Sequence, residues 1–127
     1  MFGVLFLMCF SSSLVLSETW EDLVWRGGLY YKKFSDVPFT GKIEGNRQGI
    51  MKNGKKEGKW IIYHDNGQLS SKENFKNGVN HGFQIGYYDN GVLFYKANWK
   101  NGQPHGYWES YFRNSQLEGK GNYKFGK

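Results

Sequence analysis

At 127 residues the chain has room for one domain. Aromatic residues make up 19% of it and 18 glycines stand against 2 prolines, which is too aromatic for a disordered chain and too glycine-rich for a helical one. The net charge of +6 comes from 17 basic residues interspersed with 11 acidic ones; a solvated surface accounts for that balance, and a polyanion or an anionic membrane surface is the sharper reading.

The opening stretch, "MFGVLFLMCFSSSLVLS" (residues 1–17), carries no charge. Residues 2–10 form an apolar run of signal-peptide length, small residues follow, and a cut after Ser17 is expected, although no Lys or Arg precedes the run. As a helix the segment would reach only about 26 Å against a hydrocarbon core of ~30 Å, so a permanent anchor is disfavoured. The expected destination is therefore periplasmic, envelope-associated or secreted, with a cytoplasmic location as the alternative if the segment is no signal. Cys9, the single cysteine, lies in the leader, so the mature chain would hold no disulfide.

Residues 18–51 are expected to form an N-terminal cap with a degenerate first repeat. Thr19-x-x-Asp22 predicts the start of a short helix running through Leu23, Val24 and Trp25. "GLYYKKF" (residues 28–34) and "PFTGKIE" (residues 38–44) then read as strands.

From Lys52 onward the chain repeats itself every 24 residues, in three ungapped units beginning at Lys52, Lys76 and Lys100. Gly58, Gly82 and Gly106 correspond, as do Tyr63, Tyr87 and Tyr111, and Leu69, Leu93 and Leu117. Lys72, Lys96 and Lys120 form another such set, and Phe75, Trp99 and Tyr123 keep an aromatic in place. Each unit reads as two strands and two turns. The first strands (59–64, 83–88, 107–112) are short, aromatic and β-prone. Asn66-Gly67 and Asn90-Gly91 then predict tight hairpin turns in which both residues take positive φ, with Arg113-Asn114-Ser115 as the degraded third copy. The second strands alternate, so that Leu69, Ser71, Glu73 and Phe75 are expected on one face. Asn53-Gly54, Asn77-Gly78 and Asn101-Gly102 turn the chain into each next unit. A lone hairpin is marginal in water, so the fold class expected is all-β, with stacked antiparallel β-hairpin repeats forming an elongated, twisted sheet or solenoid and Leu117 to Tyr123 as its open edge.

The pattern Gly-x-aromatic-x-x-Tyr-x-x-Asn-Gly-x-Leu followed by Lys-Asn-Gly closely resembles the bacterial variant of the MORN repeat, over 52–127 and weakly back through 36–45. The resemblance implies β-hairpins stacked into a curved sheet, and a scaffold or lipid-proximal role; bacterial relatives often carry an antitoxin label. Departures from the pattern are Ser115 for the turn glycine, Gln84 where the other units have Trp60 and Trp108, and Phe125-Gly126 for the last Asn-Gly.

Catalytic constellations are not found. His81 and His105 occupy one repeat position about 10 Å apart, too far to share a metal ion, and read as polar turn residues. The carboxylates form no acid/base couple, and no glycine-rich stretch takes the phosphate-cradling form. No enzyme activity, cofactor or metal is expected. The candidate binding residues are aromatic: Trp60 and Trp108 on one face, Tyr63, Tyr87 and Tyr111 on the other, and Tyr88 beside the second turn, with lysines around them. The preferred reading is an exported, non-catalytic scaffold that binds another protein through one aromatic and lysine-bearing face. A cell-wall glycan module, an antitoxin-like protein neutralising a toxin, and contact with a membrane surface are the alternatives. Pairing of edge strands into homo-oligomers is compatible with the open edge. Nucleic acid ranks lower, because acidic residues interrupt every unit.

Overall fold

Alternating aromatic and β-branched side chains, broken at asparagine and glycine, give strands and almost nothing else. The computed structural model describes residues 16–124 and 126–127; the leader through residue 15 and Phe125 lie outside the described residues. In chain order the strands are β1 (Ser17–Thr19), β2 (Leu23–Arg26), β3 (Leu29–Lys32), β4 (Gly41–Glu44), β5 (Arg47–Lys52), β6 (Lys55–Tyr63), β7 (Leu69–Lys76), β8 (Val79–Asn80), β9 (Gly82–Tyr87), β10 (Leu93–Lys100), β11 (Gln103–Tyr111) and β12 (Leu117–Tyr123). One sheet runs β1-β4-β5-β6-β7-β9-β10-β11-β12, with the short β8 beside β7, and a separate hairpin pairs β2 with β3. Every pairing in the main sheet is antiparallel except β1 with β4. β12 ends the sheet as an unpaired edge.

The expected helix after Thr19 is a single 3-10 turn, Trp20–Asp22, closed by a capping box. The Thr19 N–H and hydroxyl both donate to the Asp22 carboxylate, at 2.9 and 2.8 Å. Leu23 to Arg26 leave it at once as β2, because Gly27 and Gly28, both at positive φ (55° and 89°), fold β3 back onto it.

Two kinds of Asn-Gly turn hold the stack. At the junctions between units both residues are left-handed: Asn53 and Gly54 (φ 50° and 78°), Asn77 and Gly78 (50° and 80°), Asn101 and Gly102 (51° and 80°). These are the two-residue turns whose twist matches the flanking strands. Within units the geometry differs from expectation. Only Gly67 and Gly91 (both φ 83°) are left-handed, with Ser115 (71°) in the third copy, and the asparagines before them keep negative φ. The loop is longer: His64 donates its N–H to the Gln68 carbonyl at 2.8 Å, and Gly67 donates back to the His64 carbonyl at 2.9 Å.

The asparagine side chain is thereby freed for a second task. Asn66 Oδ1 accepts the Gln68 N–H at 3.0 Å while its Nδ2 donates to the Asp89 carbonyl in the next unit at 2.7 Å. Asn90 repeats the arrangement with the Val92 N–H at 3.1 Å and the Arg113 carbonyl at 3.3 Å. At the opposite end the Asn77 N–H donates to Glu57 Oε2 at 2.9 Å and the Asn101 N–H to His81 Nδ1 at 3.3 Å, Glu57 and His81 being the same repeat position. His81 is thus more than a polar turn residue: it caps the following turn. Asn90→Gly, which keeps the backbone freedom and removes both side-chain bonds, is expected to cost about 1 kcal/mol in a urea unfolding curve. An unchanged midpoint would show that the stitch does not stabilise the stack.

Burial is concentrated at the cap. Leu23, Phe39, Ile43, Met51 and Trp60 form the core, with Trp20, Tyr30 and Phe75 against it. Trp60 is wholly enclosed. Its indole lies on the backbone of Gly49, where any Cβ would overlap the ring. One further departure concerns register. Ile62 pairs with Ser71 but Tyr63 pairs with Leu69, so Ser70 is an extra, bulged residue. Leu69 therefore joins Tyr63 on the opposite face from Ser71 and Glu73, rather than sharing theirs. The same shift recurs around Phe94 and Glu118.

Candidate functional site

The period of two in each strand and the pairing of strands sort the repeat positions onto two faces. On the face away from the cap, Ile61 pairs with Lys72, Ile85 with Lys96 and Glu109 with Lys120. Beside them lie the pairs Lys59 with Asn74, Phe83 with Asn98, and Tyr107 with Asn122. Tyr63, Tyr87 and Tyr111, each opposite a leucine at 69, 93 or 117, complete this open face and are all half-buried. The lysines at 72, 96 and 120 thus form a file one hairpin apart, about 10 Å by strand spacing. A cleft of about 360 Å³ is lined here by Lys59, Ile61, Lys72, Asn74, Phe83 and Ile85 among others. On the open face as a whole Phe83 and Tyr107 are the most exposed rings, at 46% and 44%. The Tyr107 hydroxyl donates to Glu109 Oε2 at 2.9 Å, and this bond, before desolvation, raises its pKa. For Tyr111 desolvation is the main cause of the rise, with the Glu109 charge behind it.

Trp60 and Trp108 lie on the other, capped face, as expected. They are not equivalent there. Trp60 has no exposed surface and serves the core, whereas Trp108 is half-buried over Gly119 and Gly121, with the Tyr123 ring 5.9 Å away. Lys56 reaches into the cap, its Nζ 4.7 Å from the Phe75 ring, 5.1 Å from Trp20 and 5.2 Å from Trp60. Burial pushes its pKa down and the Glu73 charge partly offsets that.

Farther along the capped face a groove of about 480 Å³ opens, lined by Ser71, Glu73, Gly86, Tyr88, Phe94 and Tyr95 with Asp89 and Arg113 at its rim. Arg113 pairs with Asp89 at 2.6 Å, and that hydrogen bond and charge hold the Asp89 carboxyl below the usual range. Tyr88 donates its hydroxyl to the Tyr111 carbonyl at 2.8 Å, which ties two units together. Burial raises the Tyr95 phenol, with the Glu73 charge adding to it.

The turn asparagines and glycines sit at the two ends of the strands, away from both faces' centres, and are architectural. Residues the sequence reading passed over are Phe83 and Tyr107 on the open face and Phe94 and Tyr95 in the groove. The last two had a visible signal: the corresponding residues are Ser70-Ser71 and Glu118-Gly119. Among the described residues no group of three His, Cys, Asp or Glu side chains is placed to hold a metal ion. No helix among them is long and apolar enough to cross a membrane.

A family model described as MORN repeat variant matches three consecutive segments of the chain, 56–77, 80–101 and 104–125. No curated protein and no solved structure matches it.

Proposed function

Since the chain belongs to the MORN repeat variant family, whose non-catalytic repeats mediate protein or membrane binding, we propose that it is an exported, non-catalytic scaffold that holds a partner protein on its open face. The observation that supports this reading is the open face itself. Partly exposed rings at Phe83 and Tyr107 and the aliphatic Ile61 and Ile85 lie beside the file of lysines at 72, 96 and 120, apolar surface bordered by charge. Aromatic anchors ringed by polar residues are what interface hot spots use.

The decisive experiment is a cross-linking pull-down from envelope extracts. A reproducible protein partner is expected with the native chain and not with the double variant Phe83→Ser/Tyr107→Ser, whose far-ultraviolet circular dichroism should stay native because both side chains are exposed. Capture by purified wall glycan alone would overturn the scaffold reading in favour of a glycan module.

Export has its own check. Fractionation is expected to find a shortened chain beginning near Glu18 outside the cytoplasm, and a full-length cytosolic product would sink that part. The cut would fall inside β1, since Ser17 pairs with Lys42 and the Leu16 carbonyl accepts the Lys42 N–H at 2.8 Å. The mature chain would then keep only Glu18 and Thr19 of that edge strand.

A further inference from the structure

In a repeat protein the shared positions build the frame, so positions where one unit departs from both siblings are where specific chemistry is to be sought. Among the positions where the middle unit differs from both siblings are four on the capped face: Gln84 (Trp60 and Trp108 elsewhere), Gly86 (Ile62 and Ser110), Phe94 (Ser70 and Glu118) and Tyr95 (Ser71 and Gly119). Three of the four line the groove of about 480 Å³ on the capped face. Gln84, two residues before Gly86 on the same strand face, is 5% exposed and its Nε2 has no partner.

The departures interlock. Gly86 forms a floor on which the Tyr95 ring lies, and a Cβ there would overlap it. Phe94 is the bulged residue of its strand: Leu93 pairs with Tyr87 and Tyr95 with Gly86, leaving Phe94 between them. The bulge brings two successive side chains to one groove, where alternation would have sent them to opposite faces. Their rings stand 5.3 Å apart at 86°, two walls of a corner, and Tyr88 continues the wall 4.7 Å beyond Phe94. Glu73 lines the same groove, its Oε1 accepting the Ser71 hydroxyl at 3.2 Å. Among the described residues no cation pairs with the Glu73 carboxylate within 4.0 Å, the Lys56 ammonium interacting with it only from farther off, and none lies over the Phe94 or Tyr95 ring. Arg113 is taken up by Asp89 and by the Tyr88 ring, 5.3 Å from its guanidinium carbon.

The chain itself shows what such a corner takes. Elsewhere on the capped face, at other repeat positions, the rings of Trp20, Trp60 and Phe75 surround the ammonium of Lys56. The position corresponding to Lys56 in the middle unit is Asn80, so no lysine stands there. A carboxylate beside aromatic faces attracts a cation through both its charge and the ring quadrupoles. The second carboxylate oxygen favours a cation that can donate a hydrogen bond over a quaternary one.

We propose that this groove receives a lysine side chain of a partner protein, its ammonium between Glu73 and the Phe94–Tyr95 corner and its methylene stem along the Phe94 and Tyr88 rings. The site lies on the face opposite the proposed scaffold surface and does not depend on it.

The test is a titration of the full-length chain with Nα-acetyl-lysine methylamide, followed by backbone amide shifts in nuclear magnetic resonance. Saturable shifts centred on Gly86 and Tyr95 are expected, with a dissociation constant on the order of millimolar for so small a probe. Glu73→Gln and Phe94→Ser should each weaken binding roughly tenfold. Serine already stands at the Phe94 position in the first unit, as Ser70, so the frame accommodates the second variant; native circular dichroism confirms folding. The variant Phe83→Ser/Tyr107→Ser should bind the probe normally, which keeps failure of this site distinct from failure of the open face. Equal shifts with the norleucine analogue, tighter binding of choline or spermidine than of the lysine probe, or shifts confined to other residues would each overturn the proposal.

Discussion

Replacing Trp60 by alanine is expected to lower folding stability by about 3–5 kcal/mol, the cost of emptying a large, fully enclosed aromatic site. The ring has no exposed surface, lies flat on Gly49, and meets Trp20 edge-on at 6.1 Å between centroids. It also forms one wall around the Lys56 ammonium. Its loss therefore removes the floor on which Trp20, Leu23 and Phe39 pack the cap against the sheet. Because repeats contact mainly their neighbours, the damage should be graded along the stack. Hydrogen exchange is expected to accelerate most in β4 to β6 and least in β10 to β12. A urea midpoint that moves by less than about 1 kcal/mol equivalent, or uniform acceleration along the sheet, would contradict this account of the core. The same geometry makes Gly49→Ala costly, since its Cβ and the indole cannot both occupy that space.

The second large effect lies in the middle unit. Gly86→Ile is expected to cost about 1–3 kcal/mol, because the new side chain must displace the Tyr95 ring from the strand it covers. The first unit has already solved this conflict in the opposite sense: Ile62 stands at the position of Gly86, and its paired residue is Ser71. The double variant Gly86→Ile/Tyr95→Ser transplants that pair and should recover most of the loss. A coupling of about 0.5–3 kcal/mol between the two changes is the measurable signature in a double-mutant cycle. Additive losses would mean that the glycine is needed for some reason other than the ring above it.

Much of this architecture could be read from the residues. The 24-residue offset gives the order of strands and turns and the edge at Leu117–Tyr123 as the sheet has them, although β6 and β11 begin at Lys55 and Gln103, four residues ahead of the expected starts at 59 and 107. What escaped reading depends on single-residue geometry or on distant partners. Strict alternation puts Leu69 with Ser71, and only the inserted Ser70 separates them; nothing in the local pattern marks that residue as extra. The capping box at Thr19 and Asp22 is real, but it starts one turn only, because the Gly27-Gly28 turn recruits the following residues into a hairpin. The parallel docking of β1 on β4 unites segments more than twenty residues apart without any local signature. The groove was legible in part, since Phe94 and Tyr95 break the repeat, yet their convergence needs the bulge as well.

The turn glycines have a chemical consequence as well as a conformational one. An asparagine followed by glycine ages fastest of all pairs, because the unhindered glycine nitrogen attacks the side-chain carbonyl carbon, expels ammonia, and leaves a succinimide that water opens to aspartate or isoaspartate. In this fold that nitrogen is occupied at every one of the five pairs. Gly54 donates its N–H to the Phe39 carbonyl at 2.8 Å, Gly67 to His64 at 2.9 Å, Gly78 to Lys56 at 2.9 Å, Gly91 to Tyr88 at 3.0 Å and Gly102 to Asn80 at 2.8 Å. Spontaneous deamidation at these pairs is thereby coupled to opening of the turns, and the isoaspartate content of a sample becomes a record of the time its hairpins have spent unpaired.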